Sequence, residues 1–292
     1  MLGRLRREVI GIIWQFYNKN LSNPYFTSIE SNLYLDHFAL ITLNIDDLLY
    51  IFKRLGFVCA GNDYIESKQN FFVWLREEDY NNLEACKSLP QVVLGYFNIE
   101  VMPINIQDIV LRYIKNLVSF DYDYFNKLFD KALSTSCDDK TFNELVLYIG
   151  NFLNNINYDN SIISCDDYLA VKKYNELLSW VLIFGHRVNH FGIATHLYSS
   201  FNSFEDFIYY YKKKYSVTID CIKGDKKLGI KQASYGVKEI EIFDRYTINQ
   251  FFIEFVWRYP ICDDSIDRYN NSHYYNGFIS GNASDIIESL LI

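Results

Sequence analysis

Apolar residues recur along this chain at two periods, and the changes from one to the other mark out its elements. Residues 45–55 carry apolar positions three and four apart and stop at Gly56, so they predict a helix. Residues 203–215 predict another, with acidic residues in the first turn and lysines in the last, as the helix dipole favours. Each is followed by stretches rich in Val, Ile, Phe and Tyr that predict strands. The opening twenty residues predict an amphipathic helix, not a signal peptide. Their apolar run is short, follows Glu8 directly and leads to no small-residue cleavage site. Residues 103–185 have a different texture. There, 106–118, 122–133, 141–154 and 166–184 repeat apolar positions at helical spacing, and Asp138 and Ser164 supply helix starts. The tail, 275–292, predicts one strand or loop and a short helix over 284–291.

The predicted elements fall into two similar halves, and an internal repeat says why. Leu35-Asp36-His37-Phe38-Ala39-Leu40 is echoed by Val188-Asn189-His190-Phe191-Gly192-Ile193, which matches apolar, Asp/Asn, His, Phe, small, apolar in order. Both halves also reach a similar string, Phe97-Asn98-Ile99-Glu100 and Phe251-Phe252-Ile253-Glu254. From His37 to Glu100 is 100 − 37 = 63 residues, and from His190 to Glu254 is 254 − 190 = 64. Each half thus predicts a βαβββ unit that begins with a His on a strand and finishes with a Glu on a strand. The expected fold class is α+β: two such modules form a curved sheet around a cavity, with a helical insertion between them. The expected division is an N-terminal helix in 1–30, module 1 in 31–102, the insertion in 103–185, module 2 in 186–260 and a tail in 261–292 that packs on the body. All five segments together make one compact unit.

Composition narrows the classes of partner. Half of the 292 residues are hydrophobic, enough to bury a sizeable core. The formal net charge of −8 argues against a nucleic-acid surface, which needs clustered Lys and Arg; Lys212, Lys213 and Lys214, the longest basic run, read as the solvated end of a helix. No eighteen apolar residues stand together, so no membrane span is expected. Six scattered cysteines with no CxxC pair read as reduced thiols, and the expected location is the cytoplasm.

A single histidine in an apolar strand reads as a core residue, but two at equivalent points of a repeat read as ligands. Imidazole suits iron, zinc, copper and nickel, and two His with one carboxylate on one face leave coordination positions open, as in non-haem Fe(II) oxygenases. His37 and His190 with either Glu100 or Glu254 provide that set. Glu254 stands among Phe252, Phe255 and Trp257, where an unpartnered carboxylate is costly to bury; strand alternation alone leaves its direction open. His186 lies four residues before His190, the spacing of zinc peptidases, but no Glu follows it and Gly185 ends the helix. His196 and His273 have no partner pattern. No GxSxG, phosphate loop or dinucleotide fingerprint occurs.

At these residues the chain resembles the 2-oxoadipate dioxygenase/decarboxylase family, in its shorter bacterial form. The resemblance covers most of the chain. It rests on Asp36-His37-Phe38-Ala39-Leu40, on the segment from Trp180 through Arg187-Val188-Asn189-His190-Phe191, on Gln232-Ala233-Ser234, on Glu254-Phe255-Val256-Trp257-Arg258, and on Tyr275-Asn276-Gly277-Phe278. It implies a vicinal-oxygen-chelate fold with iron held by His37, His190 and Glu254, so here the resemblance decides for Glu254 over Glu100. It further implies an Fe(II) oxygenase that uses dioxygen to decarboxylate a small 2-oxo acid and hydroxylate the remaining chain. From 2-oxoadipate the product is 2-hydroxyglutarate. Two positions depart from the family: Ile41 stands where Arg is usual, and Gly192 where Thr is. The expected substrate-facing residues are Ile41, Arg187, Gly192, Ser234 and Arg258, with Lys231 a further source of positive charge. Two other readings stay open: a glyoxalase-type isomerase, lyase or hydrolase using Zn, Ni or Mn, and a non-catalytic binding protein on the same fold.

Overall fold

A computed structural model describes residues 1–21, 33–115, 117, 119–134, 138–155, 163–217, 219, 221–236, 238–244, 246–250, 252–261 and 270–284. Helix α1 (Leu2–Asn20) buries one stripe, including Leu5, Val9, Ile13 and Tyr17, as its apolar spacing demands. The first repeat unit then runs β1 (Leu35–Thr42), α2 (Ile45–Arg54), β2 (Phe57–Ile65), β3 (Asn70–Glu77) and β4 (Gln91–Tyr96). Asn44 starts α2 by accepting from the Asp46 N–H, and Gly56 follows its end at φ +79°, a backbone conformation in which a side chain is strained.

The segment between the repeats folds into α3 (Ile104–Ile114), α4 (Tyr122–Leu133), α5 (Asp139–Leu153), α6 (Cys165–Tyr174) and α7 (Glu176–Phe184). The sequence pattern predicts one helix over 166–184; the chain makes two. Asn175 breaks it, taking an extended backbone (φ −155°, ψ 112°) while its side chain caps Leu178 and donates to the Lys68 carbonyl at 2.5 Å. A polar side chain that bonds the backbone competes with helix continuation at just such a point.

The second unit repeats the first: β5 (Val188–Ala194), α8 (Phe204–Tyr215), β6 (Ile222–Asp225), β7 (Ile230–Tyr235), then β8 (Lys238–Ile242), β9 (Tyr246–Gln250) and finally β10 (Phe252–Arg258). β8 and β9 form a separate hairpin that the repeat does not predict. The remaining eight strands make one sheet in the order β2-β3-β4-β1-β5-β10-β7-β6. Each unit contributes four neighbours with its first and last strands parallel, and β1 meets β5 antiparallel in the middle. One face, carrying Phe38, Leu94, Phe191, Ile253 and Phe255, packs with α1, α2 and α8 into the main core. A second core joins α3, α6, α7 and the hairpin to Ile41.

One expectation fails at the end of the first unit. β4 stops at Tyr96, and Glu100 lies exposed in a 3-10 turn, Ile99–Val101, that Asn98 caps. Pairing with the first strand identifies the true counterpart of Glu254: Glu254 is opposite Gly192, and Val93 is opposite Ala39. The offset is therefore 93 − 37 = 56 residues in one unit and 64 in the other, and the near-equal 63 and 64 read from sequence is a coincidence of two similar strings.

In the tail, residues 280–284 are helical; the rest of the expected helix over 284–291 lies outside the described residues. Cys59, Cys86 and Cys221 are free thiols, while Cys137 and Cys262 lie outside the described residues. No described helix is long and apolar enough to cross a membrane.

Candidate metal centre

The two central strands set the geometry. Phe38 and Phe191 pair in register between β1 and β5, with ring centroids 5.4 Å apart. One step from that pair in either direction brings His37 opposite Gly192 and Ala39 opposite His190. Each histidine therefore faces a small residue supplied by the other copy. The fit is close: a Cβ on Gly192 would lie 2.5 Å from both Cε1 and Nδ1 of His37. So the small fifth position of the repeat makes room for the opposite imidazole, and the second position orients its own. Nδ1 of His37 is 2.8 Å from Oδ1 of Asp36, and Nδ1 of His190 is 2.8 Å from Oδ1 of Asn189. With Nδ1 occupied, both rings turn Nε2 to one point, 3.1 Å apart.

Glu254 reaches that point from β10. It is 3% exposed, and its Oε2 lies 3.0 Å from Nε2 of His37 and 3.7 Å from Nε2 of His190. Its other oxygen accepts from Nε2 of Gln232 at 2.9 Å, and Gln232 in turn accepts from Nδ2 of Asn282 at 3.2 Å. Each of the three donors is thus held by a neighbour: Asp36, Asn189 or Gln232. Ligands bound at about 2.1 Å on adjacent corners of an octahedron lie about 3.0 Å apart. Two of the three separations match that value and the third is wider, so the set suits one face of a metal ion.

Charge points the same way. Arg258, fully buried, grips Asp36 through Nε (2.6 Å to Oδ2) and Nη2 (2.8 Å to Oδ1), and its Nη1 donates to the carbonyls of Tyr275 and Gly277. Burial pushes the Asp36 carboxyl up, but Arg258 and the His37 hydrogen bond hold it well below the usual carboxylate range. Burial likewise pulls His37 down, yet the hydrogen bonds to Asp36 and Glu254, with their charges, outweigh it and raise it to about 9. Burial and the neighbouring His37 charge drive His190 well below its ordinary value. Three donors therefore converge on one space, which a divalent cation suits, since it can bond all three at once. It would leave the Glu254 centre with one net positive charge, complementary to an anionic chelator.

The open side of the triad faces a cavity of about 70 Å3. Phe278 closes one side, edge-on to His37 with ring centroids 5.0 Å apart. Of the expected substrate-facing residues, Ile41 lines this cavity. Gly192 lies behind His37 and acts by being small. Arg258 departs from expectation: it is fully buried, its guanidinium is engaged by Asp36 and by the carbonyls of Tyr275 and Gly277, and it does not line the cavity. Arg187 is half-buried with its guanidinium 5.5 Å from the Phe184 ring, Lys231 pairs with Glu205, and neither lines the cavity. Ser234 stands opposite Glu254 on β7, but Gln232, two residues earlier, is the side chain that reaches the carboxylate and lines the cavity. Sequence reasoning passed over Asp36, Asn189 and Gln232; the Asp/Asn directly before each repeated His was the available signal for the first two.

No protein-family profile matches the chain, and no curated protein does. Solved structures match over nearly its whole length. The hydroxyglutarate synthase of Oryza sativa, solved in complex with 2-oxoadipate, superposes with a TM-score of 0.74 at 20% identity, covering 99% of this chain and 93% of that one. A glyoxalase-superfamily protein of Ralstonia eutropha gives 0.71 at 14% identity, covering 92% and 84%. The hydroxyglutarate synthase of Pseudomonas putida, also with 2-oxoadipate, gives 0.58 at 13% identity, covering 88% of this chain and 60% of that one. The fold is the glyoxalase-like vicinal-oxygen-chelate fold.

Proposed function

We propose that this protein is a metal-dependent enzyme of small 2-oxo acids, an Fe(II) oxygenase and decarboxylase with His37, His190 and Glu254 as its ligands. The observation that carries the reading is the facial set of three individually oriented donors, two buried and one part-buried, opening on a cavity. Bound Fe(II) would supply open positions at which a 2-oxo acid chelates and dioxygen reacts, so that carbon dioxide leaves and a 2-hydroxy acid one carbon shorter remains. The balance closes without another reductant: of the two oxygen atoms, one enters the new carboxyl group and the other the new hydroxyl. The chain's own residues have three tasks in this. Asp36, Asn189 and Gln232 hold the donors in a fixed geometry, which lowers the cost of ordering them around the ion. Phe278, Phe252 and the apolar walls keep water from the centre. The net positive charge of the loaded site draws the carboxylate of the substrate.

Anaerobic reconstitution with Fe(II), followed by oxygen uptake and carbon dioxide release on a panel of 2-oxo acids, tests the reading. Glu254→Ala is expected to lose both metal and activity, and Glu100→Ala, altered in an exposed turn, to keep the metal by mass spectrometry. Zinc, nickel or manganese bound without oxygen uptake would favour a glyoxalase-type isomerase, lyase or hydrolase instead. Absence of any metal from folded wild-type protein would leave a binding protein.

A further inference from the structure

The cavity is chemically lopsided. At one end stand His37, His190 and Glu254; along the rest of its wall no Lys or Arg occurs among the described lining residues. The far end is built across three adjacent strands in one register row, where Gly95 on β4 pairs with Ile41 on β1 and with Phe72 on β3. Ile65 completes that apolar wall. Since Gly95 has no side chain, the Asn70 amide can lie over it: the atoms nearest to where its Cβ would stand are the Asn70 amide oxygen, at 3.0 Å, and Ile41 Cγ1, at 3.5 Å.

Asn70 is the polar group at this end, and its orientation is set by the backbone. Its Nδ2 donates to the carbonyl of Tyr96 at 3.1 Å, and its amide oxygen, the atom nearest to where a Gly95 Cβ would stand, accepts from no described residue. An amide oxygen accepts hydrogen bonds and repels an acceptor. A carboxylate, which only accepts, would meet apolar side chains and an oxygen lone pair there, with no cation among the described lining residues to offset its loss of hydration.

We infer that the substrate's non-chelating end is uncharged: this site takes monocarboxylic 2-oxo acids with an aliphatic chain, or one ending in a hydrogen-bond donor such as a hydroxyl, and discriminates against dicarboxylic ones. The inference rests on the 2-oxo acid reading above and sharpens it to a substrate class. Ile41, Phe72 and Asn70 are the residues that set the preference.

The test uses two pairs of ligands on Fe(II)-loaded protein without oxygen, with affinities from titration calorimetry. The first pair is 2-oxohexanoate and 2-oxoadipate, equal in carbon count and differing in a terminal methyl against a carboxylate. The second is hexanohydroxamic acid and the monohydroxamate of adipic acid, which chelate metal without being 2-oxo acids. The expected result is at least ten-fold tighter binding of the uncharged member in both pairs, with kcat/KM following the same order for the 2-oxo acids. Equal affinities, or preference for the charged members, would overturn the inference and leave the metal-dependent reading intact. Preference within the hydroxamates with no binding of either 2-oxo acid would uphold the neutral far end and sink the 2-oxo acid reading. Ile41→Arg, verified as folded by circular dichroism, is expected to raise affinity for 2-oxoadipate at least ten-fold; no gain in a folded, metal-loaded variant would show that position 41 does not face the ligand's far end.

Discussion

At the scale of single residues, the repeat Asp/Asn-His-Phe-small is a compact set of instructions for a two-fold site. His supplies the donor, Asp36 or Asn189 turns it, Phe38 or Phe191 anchors the strand in the core, and Ala39 or Gly192 clears space for the other imidazole. The tightest of these is Gly192, where an added Cβ would come within 2.5 Å of the His37 ring. Real Cβ contacts are not that short, and His37 is held by Asp36, so the ring must shift off the point where the three donors meet. Gly192→Ala is therefore expected to keep its fold and lose at least about ten-fold in metal affinity, the range seen when partners that orient ligands are disturbed. A competition titration against a calibrated chelator measures it; unchanged affinity would show that the ring relocates without cost. The role of the glycine was not legible in sequence, since it depends on a residue 155 positions away that only strand pairing brings opposite (192 − 37 = 155).

At the scale of elements, the parallel pair β5 and β10 carries two of the three donors, and α1 bolts it together. The hydroxyl of Tyr17, 1% exposed, accepts from the Phe252 N–H at 2.8 Å and lies 2.8 Å from the carbonyls of Asn189 and Phe252. These backbone groups flank His190 in register. Tyr17→Phe removes the hydroxyl and leaves buried polar backbone without its partner, which costs about 1–3 kcal/mol. The expected outcome is a lower denaturation midpoint with the slope of the transition unchanged, together with weaker metal binding; a midpoint equal to wild type would mean that water or neighbouring backbone takes over. The periodicity of α1 predicts which face it buries. That one tyrosine on this face ties two strands 172 and 235 residues away is set by docking, not by helix pattern.

At the scale of the whole molecule, burial of His186 couples stability to pH away from the metal centre. Its Nε2 donates to the Phe152 carbonyl at 2.8 Å, linking the segment before β5 to the end of α5. Burial lowers its pKa to about 4, the Phe152 bond opposes this weakly and the adjacent Arg187 adds to it. The unfolded value is about 6.5. Because the folded state disfavours the charged form, this contribution is fully present above pH 6.5 and is lost as pH falls toward 4. The change is about 3 kcal/mol at most over that window. Urea denaturation of the wild type is expected to show that slope and His186→Gln a shallower one; parallel slopes would assign the acid sensitivity elsewhere.

The periodicities of the chain determined most of its helices and strands, because a helix or a half-buried strand is a local consequence of which side chains must leave water. The repeat determined that there are two units and that His37 and His190 are equivalent, because duplicated sequence folds into duplicated structure. Three matters were decided only in three dimensions. The end of β4 at Tyr96 left Glu100 in an exposed turn, while the pairing of β10 with β5 set Glu254 beside both histidines. Packing turned Arg258 inward onto Asp36, where burial of one charge demands the other. Convergence of β1, β3 and β4 left the far end of the cavity with no cation among its described lining residues, a property of no segment by itself, because the residues that form it meet only when the sheet has closed around them.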